Sequence, residues 1–205
     1  RDSNWLPEWR ELGEYFSPRS VRENSSDANN GKRRDQKIIN PTGRFAARTL
    51  GAGMHTGMTN PASQWVKFGT PDPGLMSYAP VKEWIYAVEK AMREVMARTN
   101  LYSVLPNRYA MEGIFGTAPM IALPHDNDLL RFHPMAVGTY MLANNSDNQV
   151  DTLYRDLRLT ARQMEQQYSK DSLSPTVKTL LSSNPEAWVD VVHAIEPNDS
   201  REPGR

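Results

Sequence analysis

The chain has 205 residues, with 24 Lys plus Arg balancing 24 Asp plus Glu, no cysteine, and 39% hydrophobic residues. Electroneutrality excludes the basic excess on which tight sequence-independent DNA binding depends, and the lack of cysteine excludes a disulfide framework or a thiolate zinc site. No apolar run approaches the ~20 residues that span a bilayer and no signal-peptide core opens the chain, so no membrane association is expected.

The length suits one large or two small domains. The modest apolar fraction and negative mean hydropathy imply much surface relative to core, or surface that other subunits cover. A cysteine-free chain also fits a reducing compartment.

In chain order, Trp5, Trp9, Leu12 and Phe16 mark one face of a short amphipathic helix, and its two tryptophans call for burial. Residues 19–36 form a polar arm carrying Lys32, Arg33 and Arg34. The next helix lies between the turn at Asn40-Pro41-Thr42-Gly43 and the stop at Asn60-Pro61. It holds Gly51, Gly53 and Gly57, each costing roughly 1 kcal/mol relative to alanine, so close approach of another backbone is expected there and the three are candidates for subunit packing. Residues 66–80 read as extended and then turn-like.

From Pro80 to Thr99, Val81, Trp84, Ile85, Val88, Met92, Val95 and Met96 make an apolar stripe, and Trp84, Met92 and Met96 are expected in the core. Asn100 can cap a following helix that reaches about Thr117 and is kinked at Pro106, with Gly113 and Gly116 implying a close neighbour. Strands are expected at 120–123, 129–132, 138–142, 149–159 and 187–195. Thr160 and Gln163 have the spacing of a capping box, and Ser174-Pro175 opens another helix. The fold class is therefore α+β: amino-terminal helices, then a small antiparallel sheet with inserted helices. The segments are 1–35, a helix and polar arm; 36–119, helical; 120–197, β-rich; and 198–205, a polar linker.

Chemistry-bearing motifs are sparse. Gly51-Ala52-Gly53 and Gly57 lack the Gly-Lys-Ser/Thr ending of a phosphate loop, since Met58-Thr59 follows. His125, Asp126 and Asp128 offer an imidazole and hard oxygens within four residues, but a polar hairpin turn accounts for them without a metal. His55, His133 and His193 lack the spacing that sets two ligands on one helical face and read as ordinary helix or sheet residues. Lys32, Arg33 and Arg34, with Lys37, Arg44 and Arg48 nearby, form the densest basic cluster, a candidate DNA or partner contact whose plain alternative is a solvated loop. No catalytic, cofactor or metal residue is assigned.

Five stretches, in order, carry a resemblance: Arg48-Thr-Leu-Gly-Ala-Gly-Met54 running on to Gly57-Met-Thr-Asn-Pro-Ala-Ser-Gln-Trp65; Ala79-Pro-Val-Lys-Glu-Trp84; Gly113-Ile-Phe-Gly-Thr-Ala118; Asp151-Thr-Leu-Tyr-Arg155 with Thr160-Ala-Arg-Gln163; and His193-Ala-Ile-Glu-Pro197. Together they resemble the amino-terminal part of the head-to-tail connector, or portal, proteins of short-tailed bacteriophages, over residues 36 to 197. That resemblance implies a non-enzymatic structural subunit of a homo-oligomeric, twelve-membered ring with a central channel for double-stranded DNA. It further implies no cofactor, and as partners the terminase large subunit, major capsid and scaffolding proteins, and tail or adaptor proteins. The location implied is the portal vertex of the virion, with a host-cytoplasm stage during assembly. The portion present would be the wing with the start of the central body, and the stem helices and clip would follow residue 205. The start at Arg1 and the polar end at 198–205 read as those of a piece of a longer subunit. The rival readings are a nucleic-acid-binding module using Lys32, Arg33 and Arg34, and a metal-dependent hydrolase using His125, Asp126 and Asp128.

Overall fold

The computed structural model describes residues 4–22 and 33–198. In order these form α1 (Trp5–Phe16), α2 (Thr42–Met58), α3 (Pro73–Ser77), α4 (Ala79–Arg98), α5 (Leu101–Phe115), β1 (Met120–His125), β2 (Leu129–Pro134), β3 (Tyr140–Asn144), β4 (Val150–Thr160), α6 (Ala161–Gln167), α7 (Pro175–Ser183) and β5 (Trp188–Ile195). The class is α+β, as expected. The strands form two antiparallel sheets rather than one, β1-β2 and β3-β4-β5. The break between them has a local cause: Val137 pairs in parallel with Val21, through Val137 N–H to Ser20 O at 3.0 Å and Arg22 N–H to Val137 O at 2.9 Å. Among the described residues no helix is long and apolar enough to cross a membrane.

Chain contacts gather into two compact units. One takes the described residues of 12–18 and 35–135, the other those of 1–11, 19–34 and 136–205. The first centres on Leu101, Leu105 and Tyr109 of α5, against which Met54, Trp65, Met96, Tyr102, Met120 and Phe132 pack. The Trp65 indole N–H donates to the Tyr102 hydroxyl at 3.1 Å, so the extended segment after α2 is tied to α5 while its polar atom stays satisfied.

Four expectations change here. Asn100 caps nothing with its side chain; its amide donates to Phe132 O and accepts from Phe132 N–H, both at 2.8 Å, imitating a strand partner for β2. Gly116 is needed for its left-handed φ of 72°, which closes α5, rather than for a neighbour. Asp72 turns part of the expected loop into α3, its carboxylate accepting from Gly74 N–H at 2.8 Å ahead of Pro73. The α4 stripe is also rotated. Trp84 is 66% and Met92 40% exposed, while Met96 does join the core.

The buried face of α4 instead holds Ile85 and Glu89, the latter only 5% exposed. The reason is the segment after Asn60-Pro61, whose polar groups lack a strand partner. The Gln64 side-chain amide donates to one Glu89 oxygen and Phe68 N–H, at 3.5 Å, to the other, while Arg93 lies 3.9 Å away one turn on. A carboxylate that answers two donors and a guanidinium can be buried where an indole would leave those donors unanswered.

In the second unit, β4 is central and pairs with β3 and β5, with Tyr140, Arg155 and His193 in one cross-strand row. Ala161, Leu173 and Val177 form a core with Met164, Leu180, Leu181 and Val189, seating α6 and α7 on the sheet. The expected capping box is present in both halves: Thr160 Oγ1 accepts from Gln163 N–H at 3.2 Å, and Gln163 Oε1 from Thr160 N–H at 2.9 Å. Ser174 caps α7 through Val177 N–H. Trp9 sits 6.5 Å from the Tyr140 ring and Leu6 is buried, but Trp5 stays exposed. Gly138 adopts φ 94° with its Cβ position 2.1 Å from Arg22 O, so no other residue fits beside the Val21 bridge.

Candidate functional site

The three α2 glycines separate into two kinds. A Cβ on Gly51 would lie 2.3 Å from Pro106 O and 2.9 Å from the Ala110 methyl, so this glycine exists to let α2 and α5 touch within the chain. Gly113 faces back in the same way, toward the Leu50 side chain. A Cβ on Gly53 or Gly57 would meet no described residue within 4 Å beyond its own turn of helix. Those two lie on the outer side of α2, which the described residues leave uncovered. Beside the helix pair runs an apolar groove of about 490 Å³, lined by Leu12, Phe16, Gly43, Ala47, Leu50 and Ile114.

Of the basic cluster, Lys32 lies outside the described residues. Arg33 is exposed and Arg34 half-buried, and neither is without a partner. Lys37 is bound to Glu14 at 2.6 Å, and Arg44 and Arg48 are exposed one turn apart on α2. Arg33 and Arg34 belong to one compact unit and Lys37, Arg44 and Arg48 to the other.

His125, Asp126 and Asp128 occupy the β1–β2 turn. His125 Nδ1 accepts from Asp128 N–H at 3.3 Å and lies 3.4 Å from the Asp128 carboxylate, which also faces Arg131 at 3.8 Å. His125 Nδ1 is thus engaged in closing the turn. Among the described residues no group of three His, Cys, Asp or Glu side chains is placed to hold a metal. His55 bonds Thr59 Oγ1 at 2.9 Å at the end of α2, an ordinary helical role.

His193 is not ordinary. Its Nδ1 accepts from Arg155 Nε–H at 2.8 Å, which fixes the neutral tautomer with the proton on Nε2. Burial, and then the adjacent guanidinium, lower its pKa below the usual 6.5. Arg155 is only 7% exposed, and its own pKa is lowered by burial, partly offset by the nearby Tyr168 phenol. The sequence carried a signal for this pair: Arg155 shares its strand face with Leu153, Leu157 and Leu159, so a cation sits on the inward face of β4. On the opposite face, Arg158 pairs with Asp190 at 3.4 Å and lies over the Trp188 ring, while the Tyr154 hydroxyl donates to Glu196 at 2.6 Å, the main cause of a raised Tyr154 pKa.

The whole chain, residues 1–205, matches the family model described as bacteriophage head to tail connecting protein. It is 42% identical over 198 residues to the portal protein of Salmonella phage epsilon15, covering 96% of this chain and 36% of that protein. It is 38% identical over 203 residues to the probable portal protein of Bordetella phage BPP-1, covering 98% of this chain and 37% of that one. The chain thus spans a little over a third of the length of these curated relatives.

Proposed function

Because this chain belongs to the bacteriophage head-to-tail connecting protein family, we propose that it serves as the wing and first body portion of a portal subunit, a structural element of the ring through which the phage genome is packaged and ejected. The observation that carries this reading is the match over the full chain together with portal relatives at 42% and 38% identity. In it the subunits close into a ring of twelve around double-stranded DNA, at the portal vertex of the virion after assembly in the host cytoplasm. The ring contacts the terminase large subunit, the major capsid and scaffolding proteins, and the tail or adaptor proteins. The subunit performs no catalysis; the motor's ATP hydrolysis belongs to the terminase.

Two features of the chain support it. Zero net charge suits a conduit, because a strongly basic wall would hold DNA through its phosphates and oppose sliding. The bare side of α2 at Gly53 and Gly57 suits packing against a neighbouring subunit, while Gly51 is spent on α5. Arg33 and Arg34, with Lys32, are assigned to partner or DNA contact at the ring's surface. The test is native mass spectrometry and electron microscopy of the full-length subunit. A closed ring with weak, sequence-independent DNA affinity is expected; a monomer whose DNA affinity falls steeply with salt would instead identify a nucleic-acid-binding module.

A further inference from the structure

Arg155 presents a charge that no described residue neutralises. Nine-tenths of the residue is buried, its Nε–H is committed to His193 Nδ1 at 2.8 Å, and it forms no ion pair with any described residue. Its terminal nitrogens are not among the buried unpartnered atoms of the described residues, so they reach the surface, where a counter-charge would offset the cost of burying the rest of the side chain. Its row-mates across the sheet are Tyr140 and His193, neither an anion, and the third group near it is the Tyr168 phenol. With Nδ1 engaged as acceptor, His193 has only Nε2–H left to offer, so the guanidinium and imidazole together present donors.

We infer that Arg155, paired with His193, is a receptor for one carboxylate, which docks on the terminal nitrogens of the guanidinium that His193 leaves open. A carboxylate fits better than a phosphodiester backbone for two reasons. The planar fork matches a single carboxylate in charge and geometry. Further along the chain, Arg158 and Arg162 are paired with Asp190 and Glu186, so these two described cations do not form with Arg155 an open array of the kind that tracks phosphates. The carboxylate has two sources, a free small acid or an acidic side chain of a second copy of this chain. The site stands whether or not the ring does.

The experiment is an NMR titration of the ¹⁵N-labelled chain with sodium acetate at constant ionic strength, following Arg155 Nε–H and the His193 ring. Saturable shifts at both residues are expected, lost in Arg155→Gln. Linkage adds a readout that a purely structural arginine would not move: acetate at Arg155 should raise the His193 pKa toward 6.5, since it offsets the guanidinium's charge. If Arg155→Gln does not fold, His193→Gln serves instead and should weaken acetate several-fold by releasing the guanidinium. Shifts linear in acetate, or a His193 pKa that stays put, overturn the site. Inorganic phosphate and a short DNA duplex run in parallel, and preference for either over acetate overturns the carboxylate assignment. The same shifts on raising protein concentration without acetate identify a second copy as the source; their absence alongside saturable acetate binding identifies a free acid.

Discussion

Gly51 and Gly53 lie two residues apart on α2, yet alanine at each should move stability in opposite directions. At Gly51 the new methyl meets Pro106 O at 2.3 Å and Ala110 N at 3.0 Å, both backbone atoms that yield only if α5 moves away from α2. Overpacking of this kind costs typically 1–3 kcal/mol, against a helix-propensity gain of roughly 1 kcal/mol. A 2.3 Å approach to a backbone oxygen belongs at the upper end of that range, so the net expectation for Gly51→Ala is a loss of about 2 kcal/mol. At Gly53 the methyl meets nothing, so Gly53→Ala should gain up to about 1 kcal/mol from propensity alone. Urea denaturation of the chain followed by circular dichroism reads both, provided the m-value is unchanged. A Gly51→Ala variant as stable as the parent would refute the close-approach argument. The outward side of α2 is tested in the full-length subunit, where Gly53→Leu should leave the fold intact and cost ring yield. Rings at parental yield would remove that side from subunit contact.

Trp84→Ala should cost less than about 1 kcal/mol in the chain, far below the 3–5 expected of a buried tryptophan, because its ring is mostly in solvent; a larger loss in urea melts would place it in the core. Thr160→Ala removes the capping-box acceptor of α6 and should destabilise by about 1 kcal/mol, with no loss contradicting the cap. The His193 pair makes stability depend on pH. Its folded pKa lies below the unfolded 6.5, so the unfolded chain binds the extra proton between the two values. The contribution is full above pH 6.5 and falls as pH drops through that window. Melts at descending pH should show the decline, and His193→Gln should flatten it.

What could be read in the sequence was local. The capping box at Thr160 and Gln163, the Ser174-Pro175 start of α7 and the limits of α2 depend on residues a turn apart, and each lies where its pattern puts it. What could not be read depends on partners distant in sequence. Nothing in residues 79–98 reveals that Gln64 and Phe68 will need a carboxylate, so an apolar stripe through Trp84 looked inward while Glu89 holds that place. Asn100 fits a helix cap by its neighbours and a strand by its contact with Phe132. The glycines were legible as a demand for close approach, but only the helix pair tells Gly51 from Gly53. Arg155 was visible as an odd member of a leucine series, and its burial beside His193 was not.

The parallel bridge between Val21 and Val137 bears on the order in which the chain can mature. Leaving the ribosome, residues 19–22 have nothing to pair with until all of 35–135 has been made. The helical unit has its core residues and the β1–β2 hairpin in hand by then, so it can fold first. The sheet unit closes only when β5 emerges, because β4 pairs on both sides. Until that moment an early segment, with Leu6 and Trp9, waits exposed, as pairings of large sequence separation do when they pay loop closure before contact. A newly made chain therefore holds its last-formed surface open for the longest time.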